Sequence, residues 1–296
     1  MIRAMASFPR PELVATTDWL AESLGRPGVS VVDVRWRPDG SAARLHAESH
    51  IPGSTWVDWS TQLVRRDERT NVPLIASADR VAAAFGDAGV GDGDTVVLYD
   101  DMGGLYAGRA WWTLRAYGFE SVRILDGGWA AWLDDGRPTT GRPSLHAPTS
   151  LTPRTDLRAR LTASELRELL GAPAQTIVDA RPAAEYAGVQ GAGRRLGHIP
   201  GAVSLPVSST LAPGSQLLDR PDALAKLARA IPPADRIVCY DEAGVGAARL
   251  AWVLMLLGRH DVAVLDGGWA EWAERPELPV ESGASSDARG GLLRGR

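Results

Sequence analysis

One cysteine in 296 residues sets the first limits on this chain. Cys239 alone excludes an intrachain disulfide framework and any metal site built from several thiolates. No basic run is present and the formal charge of −4 is mild, so neither nucleic acid nor an anionic membrane is an expected partner. No apolar stretch approaches the ~20 residues needed to span a bilayer. Met1 to Arg10 lacks an apolar h-region, so no secretory signal is expected and a cytoplasmic protein is the default expectation. His46, His146 and His260 form no ligand-spaced cluster with His50 or His198, and no serine occupies a nucleophile-elbow context. Neither a metal, a cofactor nor a Ser–His–Asp site is therefore expected.

What the chain does contain, it contains twice. Asp126-Gly127-Gly128-Trp129-Ala130-Ala131-Trp132 returns as Asp266-Gly267-Gly268-Trp269-Ala270-Glu271-Trp272. Val96-Val97-Leu98-Tyr99-Asp100 matches Ile237-Val238-Cys239-Tyr240-Asp241, and His50-Ile51-Pro52-Gly53 matches His198-Ile199-Pro200-Gly201. Val31-Val32-Asp33-Val34-Arg35 matches Ile177-Val178-Asp179-Ala180-Arg181. A spacing of roughly 140 to 150 residues is far beyond the ~20 to 50 of solenoid repeats, so two copies of a whole domain are expected. Each copy is long enough to bury its own core. Residues 12–138 form the first predicted domain. Residues 139–158, with Pro143, Pro148 and Pro153, read as an extended linker. The second domain is placed at 159–280, and the Gly-, Ser- and Arg-rich tail at 281–296 is predicted to be disordered.

Within each copy, β-branched runs alternate with stretches of helical period. Val31–Val34, Thr95–Tyr99, Val122–Leu125, Thr176–Ala180, Arg236–Tyr240 and Val262–Leu265 read as buried strands. Ser77–Phe85, Tyr106–Tyr117, Thr162–Leu170, Asp222–Ala230 and Ala247–Leu257 read as helices. With no obvious hairpin signal, the pattern predicts an α/β fold with mostly parallel sheets covered on both faces. Ligands in such sheets sit at the carboxyl ends of the strands, which directs attention to the loops after Tyr99 and Tyr240.

The loop Asp241-Glu242-Ala243-Gly244-Val245-Gly246 joins a strand to a helix, where converging backbone N–H groups and the helix dipole favour an anion, a thiolate or a carboxylate. A dinucleotide fingerprint would read Gly244-x-Gly246 with Asp266 as its acidic partner. Arg249 stands where the third glycine belongs and the twin copy does not keep the spacing, so that reading is set aside.

The Asp-x-Arg strand ends, the His-Ile-Pro-Gly turns, the strand–loop–helix sites and the Asp-Gly-Gly-Trp-x-x-Trp blocks together resemble the two-domain rhodaneses, the thiosulfate and 3-mercaptopyruvate sulfurtransferases. The resemblance covers about residues 12–280. It implies a five-stranded parallel sheet per copy, a silent first copy, and sulfur transfer from a small anionic sulfur compound through a persulfide on a cysteine in the second copy's loop. Counting back three residues from Gly244 places Asp241 at that cysteine position. A carboxylate cannot carry a sulfane sulfur, but it can accept the converging N–H bonds. Asp100 holds the equivalent place in the first copy. Family members often hold the substrate's anionic group with an arginine where this chain has Glu185; Glu242 adds a second negative charge, with Arg194 and Arg195 as nearby compensation.

Two functions follow: a sulfurtransferase-like protein of this family, or a silent tandem scaffold that binds a protein or small ligand. Phosphatase-like chemistry fails on the same missing nucleophile. Cys239, two residues before Asp241 on the strand, reads as an inert core residue rather than a displaced nucleophile. His50 and His198 read as turn histidines. Trp129, Trp132, Trp269 and Trp272 read as packing residues, and the Asp33–Arg35 and Asp179–Arg181 pairs as structural ion pairs. Arg109 and Arg249, at matched positions after the two loops, either balance the loop carboxylates or line an anion pocket. Asp241 with Glu242 offers too few oxygens for a hard cation.

Overall fold

The computed structural model describes residues 8–68, 70–191 and 195–283. Two five-stranded sheets carry the chain, and every pairing in them is parallel. The first runs, edge to edge, β1 (Val14–Ala15), β7 (Val122–Leu125), β6 (Thr95–Tyr99), β2 (Val29–Asp33) and β3 (Thr55–Trp56). The second runs β10 (Val203–Ser204), β9 (Gln175–Asp179), β11 (Arg236–Tyr240), β12 (Val262–Leu265) and β8 (Arg160–Leu161). Helices α1 (Thr17–Ser23), α2 (Ala42–Glu48), α3 (Trp59–Gln62), α4 (Ala78–Asp87), α5 (Leu105–Ala116) and α6 (Gly128–Asp134) belong to the first half. Helices α7 (Ala163–Glu168), α8 (Ala183–Tyr186), α9 (Pro221–Ala228), α10 (Val245–Leu256) and α11 (Gly268–Glu274) belong to the second.

Strand alternation divides the interior. In β6, Val96 and Leu98 enter a large core shared by both halves, whereas Val97 and Tyr99 enter a smaller outer core. In β11, Ile237 and Cys239 face the shared core and Val238 and Tyr240 the outer one. Helices α5 and α10 lie at the centre of the shared core. Every residue of α10 from Gly246 to Leu256 is buried, as expected of a helix apolar on nearly all sides. The two helices cross closely where α5 carries Gly108: a Cβ there would sit 2.7 Å from Arg249 Cα. The helix that follows each site loop thus also holds the halves together.

The expectation of no hairpin is corrected by β4 (Val64–Arg66) and β5 (Pro73–Ile75), an antiparallel pair outside both sheets. Its turn contains Asn71 at φ 58°, a left-handed conformation in which asparagine is tolerated without the glycine signature of a tight turn. The extended stretch after Pro138 does not hang free. Thr140 bridges His50, Thr149 donates from its N–H to Gly86 O (3.0 Å), and Arg154 donates to Tyr117 O (2.8 Å). Of the tail, Glu281 pairs with His198 in an isolated bridge, and 284–296 lie outside the described residues. Among the described residues no helix is long and apolar enough to cross a membrane.

Candidate active site

Each Asp-x-Arg strand end is a buried ion pair with a defined task. Arg35 Nη2 lies 2.6 Å from Asp33 Oδ2, and its guanidinium stacks 4.5 Å over Trp129. Arg181 repeats this with Asp179 (2.6 Å) and Trp269 (4.4 Å). The strand end and the Gly-Gly-Trp block therefore meet in both halves, which explains why the two motifs return together. Trp132, Trp269 and Trp272 are buried as expected of packing residues, while Trp129 is half-buried beneath its arginine. His50 and His198 each turn Nδ1 to a main-chain carbonyl, of His46 (2.7 Å) and Tyr186 (2.8 Å). The sequence keeps His46 apart from His50, but α2 stacks their rings 4.1 Å apart and gives His46 Nδ1 to Asp33 (2.9 Å). His46 occupies the place that Tyr186 holds against His198, at 3.8 Å. Among the described residues no group of three or more His, Cys, Asp or Glu could hold a metal ion.

The loop after β11 closes on its own first residue. Gly244 donates its N–H to Asp241 Oδ1 (2.5 Å) and Gly246 donates to Oδ2 (2.7 Å). Gly244 adopts φ +79°, the left-handed turn that starts α10, and Val245 and Gly246 form the first turn of the helix. The carbonyl of Asp241 accepts the N–H of Trp269 (2.8 Å). A Cβ on Gly268 would lie 2.5 Å from that same oxygen, so the second glycine of the repeated block is needed for α11 to approach the loop. Burial pushes the Asp241 carboxyl above its ordinary value, against the opposing pull of the Gly246, Gly244 and Ala247 amides and of Arg109.

The first-half loop is closed more tightly. Asp100 is fully buried and accepts four N–H groups, from Met102 (2.9 Å), Gly104 (2.8 Å), Tyr106 (2.7 Å) and Ala107 (2.9 Å). Asp101 beside it pairs with Arg37. Asp241, by contrast, is only half-buried.

A second carboxylate stands next to Asp241. Glu242 and Ala243 are half-buried; burial raises the Glu242 carboxyl first, with Glu185, Asp241 and Asp179 adding repulsion against the pull of Arg181. Glu185, on α8, lies close enough to Glu242 to add to that repulsion. Arg195 is engaged elsewhere. Its guanidinium donates to the carbonyls of Ala273 (3.0 Å), Leu278 (2.6 Å), Trp272 (2.7 Å) and Arg275 (2.6 Å), at the carboxyl end of α11. This corrects its assignment to the substrate; it neutralises a helix terminus instead. Arg194 lies outside the described residues.

Cys239 is fully buried in the shared core, in register between Val178 and Val264. Burial and the nearby Asp241 charge push its thiol far up, which disfavours the thiolate and suits a core residue. Asp266, the acidic partner of a dinucleotide reading, is buried and bonded to the Ile75 N–H (2.9 Å) and to Arg160 (2.9 Å), which leaves nothing for a ribose.

Arg109 and Arg249 each stand in the field of a loop carboxylate, but of the opposite half, Asp241 and Asp100 respectively. Each crosses to the other half. Arg109, on α5, donates to Gly244 O (3.2 Å) and reaches Asp266 (3.4 Å). Arg249, on α10, donates across the boundary to Gly103 O (2.6 Å) and within its own half to Val207 O (3.2 Å) and Thr210 Oγ1. Burial lowers both guanidinium groups, that of Arg249 to about 10. The doubled position was visible in the sequence; the exchange of partners was not.

The match to known proteins covers both halves. The Rhodanese-like domain model fits residues 16–135 and again 162–275. A thiosulfate sulfurtransferase of Corynebacterium glutamicum is 31% identical over 300 aligned residues, covering 96% of this chain and 95% of that protein. The thiosulfate sulfurtransferase of Mus musculus is 31% identical over 294, covering 93% and 97%. The crystal structure of the Escherichia coli 3-mercaptopyruvate sulfotransferase SseA superposes with a TM-score of 0.76 at 27% identity, over 87% of this chain and 98% of that one. Two matches to the rhodanese-like domain model, with near full-length similarity to these sulfurtransferases, make the chain a sulfurtransferase-like member of the rhodanese family.

Proposed function

We propose that this rhodanese-family protein does not run the persulfide step and instead uses its second-half loop as a binding element. The observation that carries the reading is the Asp241 carboxylate seated on the Gly244 and Gly246 amides, where an anionic sulfur would otherwise be received. A carboxylate offers no site for S–S bond formation, and its own charge satisfies the amides. Glu242 and Glu185 oppose the approach of thiosulfate or 3-mercaptopyruvate, while Arg181 is held by Asp179 and Arg195 by a helix terminus. A cationic or neutral ligand, or a basic segment of a protein partner, suits this surface better than a sulfur oxyanion.

Sulfur transfer from thiosulfate or 3-mercaptopyruvate to cyanide tests the reading directly. Wild type is expected to show no turnover, and intact-mass analysis after incubation with donor no added sulfur. Asp241→Cys is expected to gain a thiol that alkylates and takes up sulfur. Robust turnover by wild type would overturn the proposal.

The second reading, sulfur transfer as the relatives' names describe it, is favoured by 31% identity over nearly the whole chain. With residue 241 a carboxylate, it requires Cys239 to leave the core. Site-resolved mass spectrometry that finds Cys239 persulfidated after donor treatment would establish it.

A further inference from the structure

We infer that Arg109 of the first half is a positioning residue for the site loop of the second, supplying from across the domain boundary the fixed positive charge that faces residue 241. The inference rests on the reading of Asp241 as the centre of that loop and adds to it a role for the half regarded as silent.

Geometry comes first. The Arg109 guanidinium lies under the turn that starts α10 and holds the Gly244 carbonyl. Gly244 is favoured for its left-handed backbone, and a Cβ there would also crowd Arg109 Nη1 from the other half and the Asp266 carbonyl (3.0 Å). The amide of the same glycine is one of the two donors to Asp241. Arg109 therefore grips the peptide group on one side of a residue whose N–H orients the carboxylate on the other.

Charge counting points the same way. Arg109 is completely buried, and its Nε finds no acceptor among the described residues. Its direct partner Asp266 is shared with Arg160, which lies closer, at 2.9 Å against 3.4 Å. One carboxylate between two guanidinium groups leaves a positive remainder, and the next carboxylate in its field is Asp241. A related arrangement holds in the first half, where Arg249 grips the carbonyl of Gly103, one residue before the α5 cap Gly104, and has Asp100 in its field. Each loop is thus braced by the other half's helix.

The test uses the full chain. In an Asp241→Cys background, site-resolved alkylation against pH reports the thiol at 241. Adding Arg109→Gln is expected to raise its apparent pKa by about one unit, a loss of ~10-fold in thiolate near neutral pH. Arg109→Lys should restore most of it, and Arg249→Gln should leave it unchanged. In the Asp241 chain, hydrogen exchange at Gly244 and Gly246 should quicken about tenfold with Arg109→Gln, but not with Arg249→Gln, whose effect belongs to 102–107. Where Arg109→Gln fails to fold, Arg109→Met compared with Arg249→Met carries the exchange measurement, the apolar stem keeping its packing while the charge is removed. An unchanged thiol profile with unchanged exchange overturns the inference, as does an equal response to both arginine variants. A cysteine at 241 that does not titrate sinks the earlier reading of that residue, and the exchange data alone then decide the brace.

Discussion

Asp100 and Asp241 are the same residue type at the same place in two copies of one fold, yet they live differently. Three residues separate Asp100 from Gly104 and two separate Asp241 from Gly244. The extra residue lets the first loop turn four amides onto its carboxylate, whereas the second turns those of Gly244 and Gly246, with a weaker pull from Ala247, and leaves it partly open. Two causes compete over the Asp241 proton. Amides favour the anion, and burial favours the neutral acid, which wins in direction. A carboxyl raised above its unfolded value binds its proton more tightly when folded, so its contribution to stability declines as pH rises through the window beginning at its ordinary value of 3.8. Asp241→Asn removes that proton. Urea unfolding from pH 4 to 7 should show wild type losing stability relative to the variant as pH rises; the opposite slope would mean that the amides prevail. Counting back from Gly244 singles out Asp241 in the sequence, and the structure shows that residue bonded to the Gly244 and Gly246 amides. The role of Arg195 was not legible, because its acceptors are carbonyls nearly eighty residues away at a helix end that no side-chain pattern announces.

At the scale of elements, period and composition located β6, β7, β11 and β12 at their observed bounds, because buried parallel strands are written as short β-branched runs. Helix α10 begins at Val245, two residues before the predicted start, since Gly244 at φ +79° serves as its N-cap and α-helical geometry starts within the glycine-rich stretch. The β4–β5 hairpin escaped notice because three-residue strands flanking a polar turn carry almost no periodic signal. Gly108 carries a test of the helix crossing. In an exposed helix, alanine is about 1 kcal/mol better than glycine. Here the added methyl would stand 2.7 Å from Arg249 Cα and 2.9 Å from its N, both backbone atoms that cannot rotate away. Gly108→Ala is therefore expected to destabilise, by about 1–3 kcal/mol in urea unfolding. A stabilised variant would show that α5 and α10 separate easily.

The whole molecule is organised by exchange between its halves. Trp112 Nε1 of the first half donates to Ala159 O (2.7 Å), where the second half begins, and Trp252 Nε1 of the second donates to Leu13 O (2.9 Å) of the first. Asp126 accepts the Leu218 N–H and Asp266 the Ile75 N–H, again across the boundary. These reciprocal bonds, with Arg109 and Arg249, relate equivalent positions of the two copies, and the largest apolar core is common to both. Such an interface resembles the interior of one domain more than a contact between two. The halves should then unfold together. Trp252→Ala empties a fully buried site at this boundary and leaves the Leu13 carbonyl without its donor, at an expected cost of about 3–5 kcal/mol. If the core is cooperative, hydrogen exchange in β2 and β6 of the first half should quicken as much as in β9 and β11 of the second, and circular dichroism and tryptophan fluorescence should follow one transition. Loss of protection confined to β9 and β11 would mean that the second half melts alone and that the first does not depend on it for its fold.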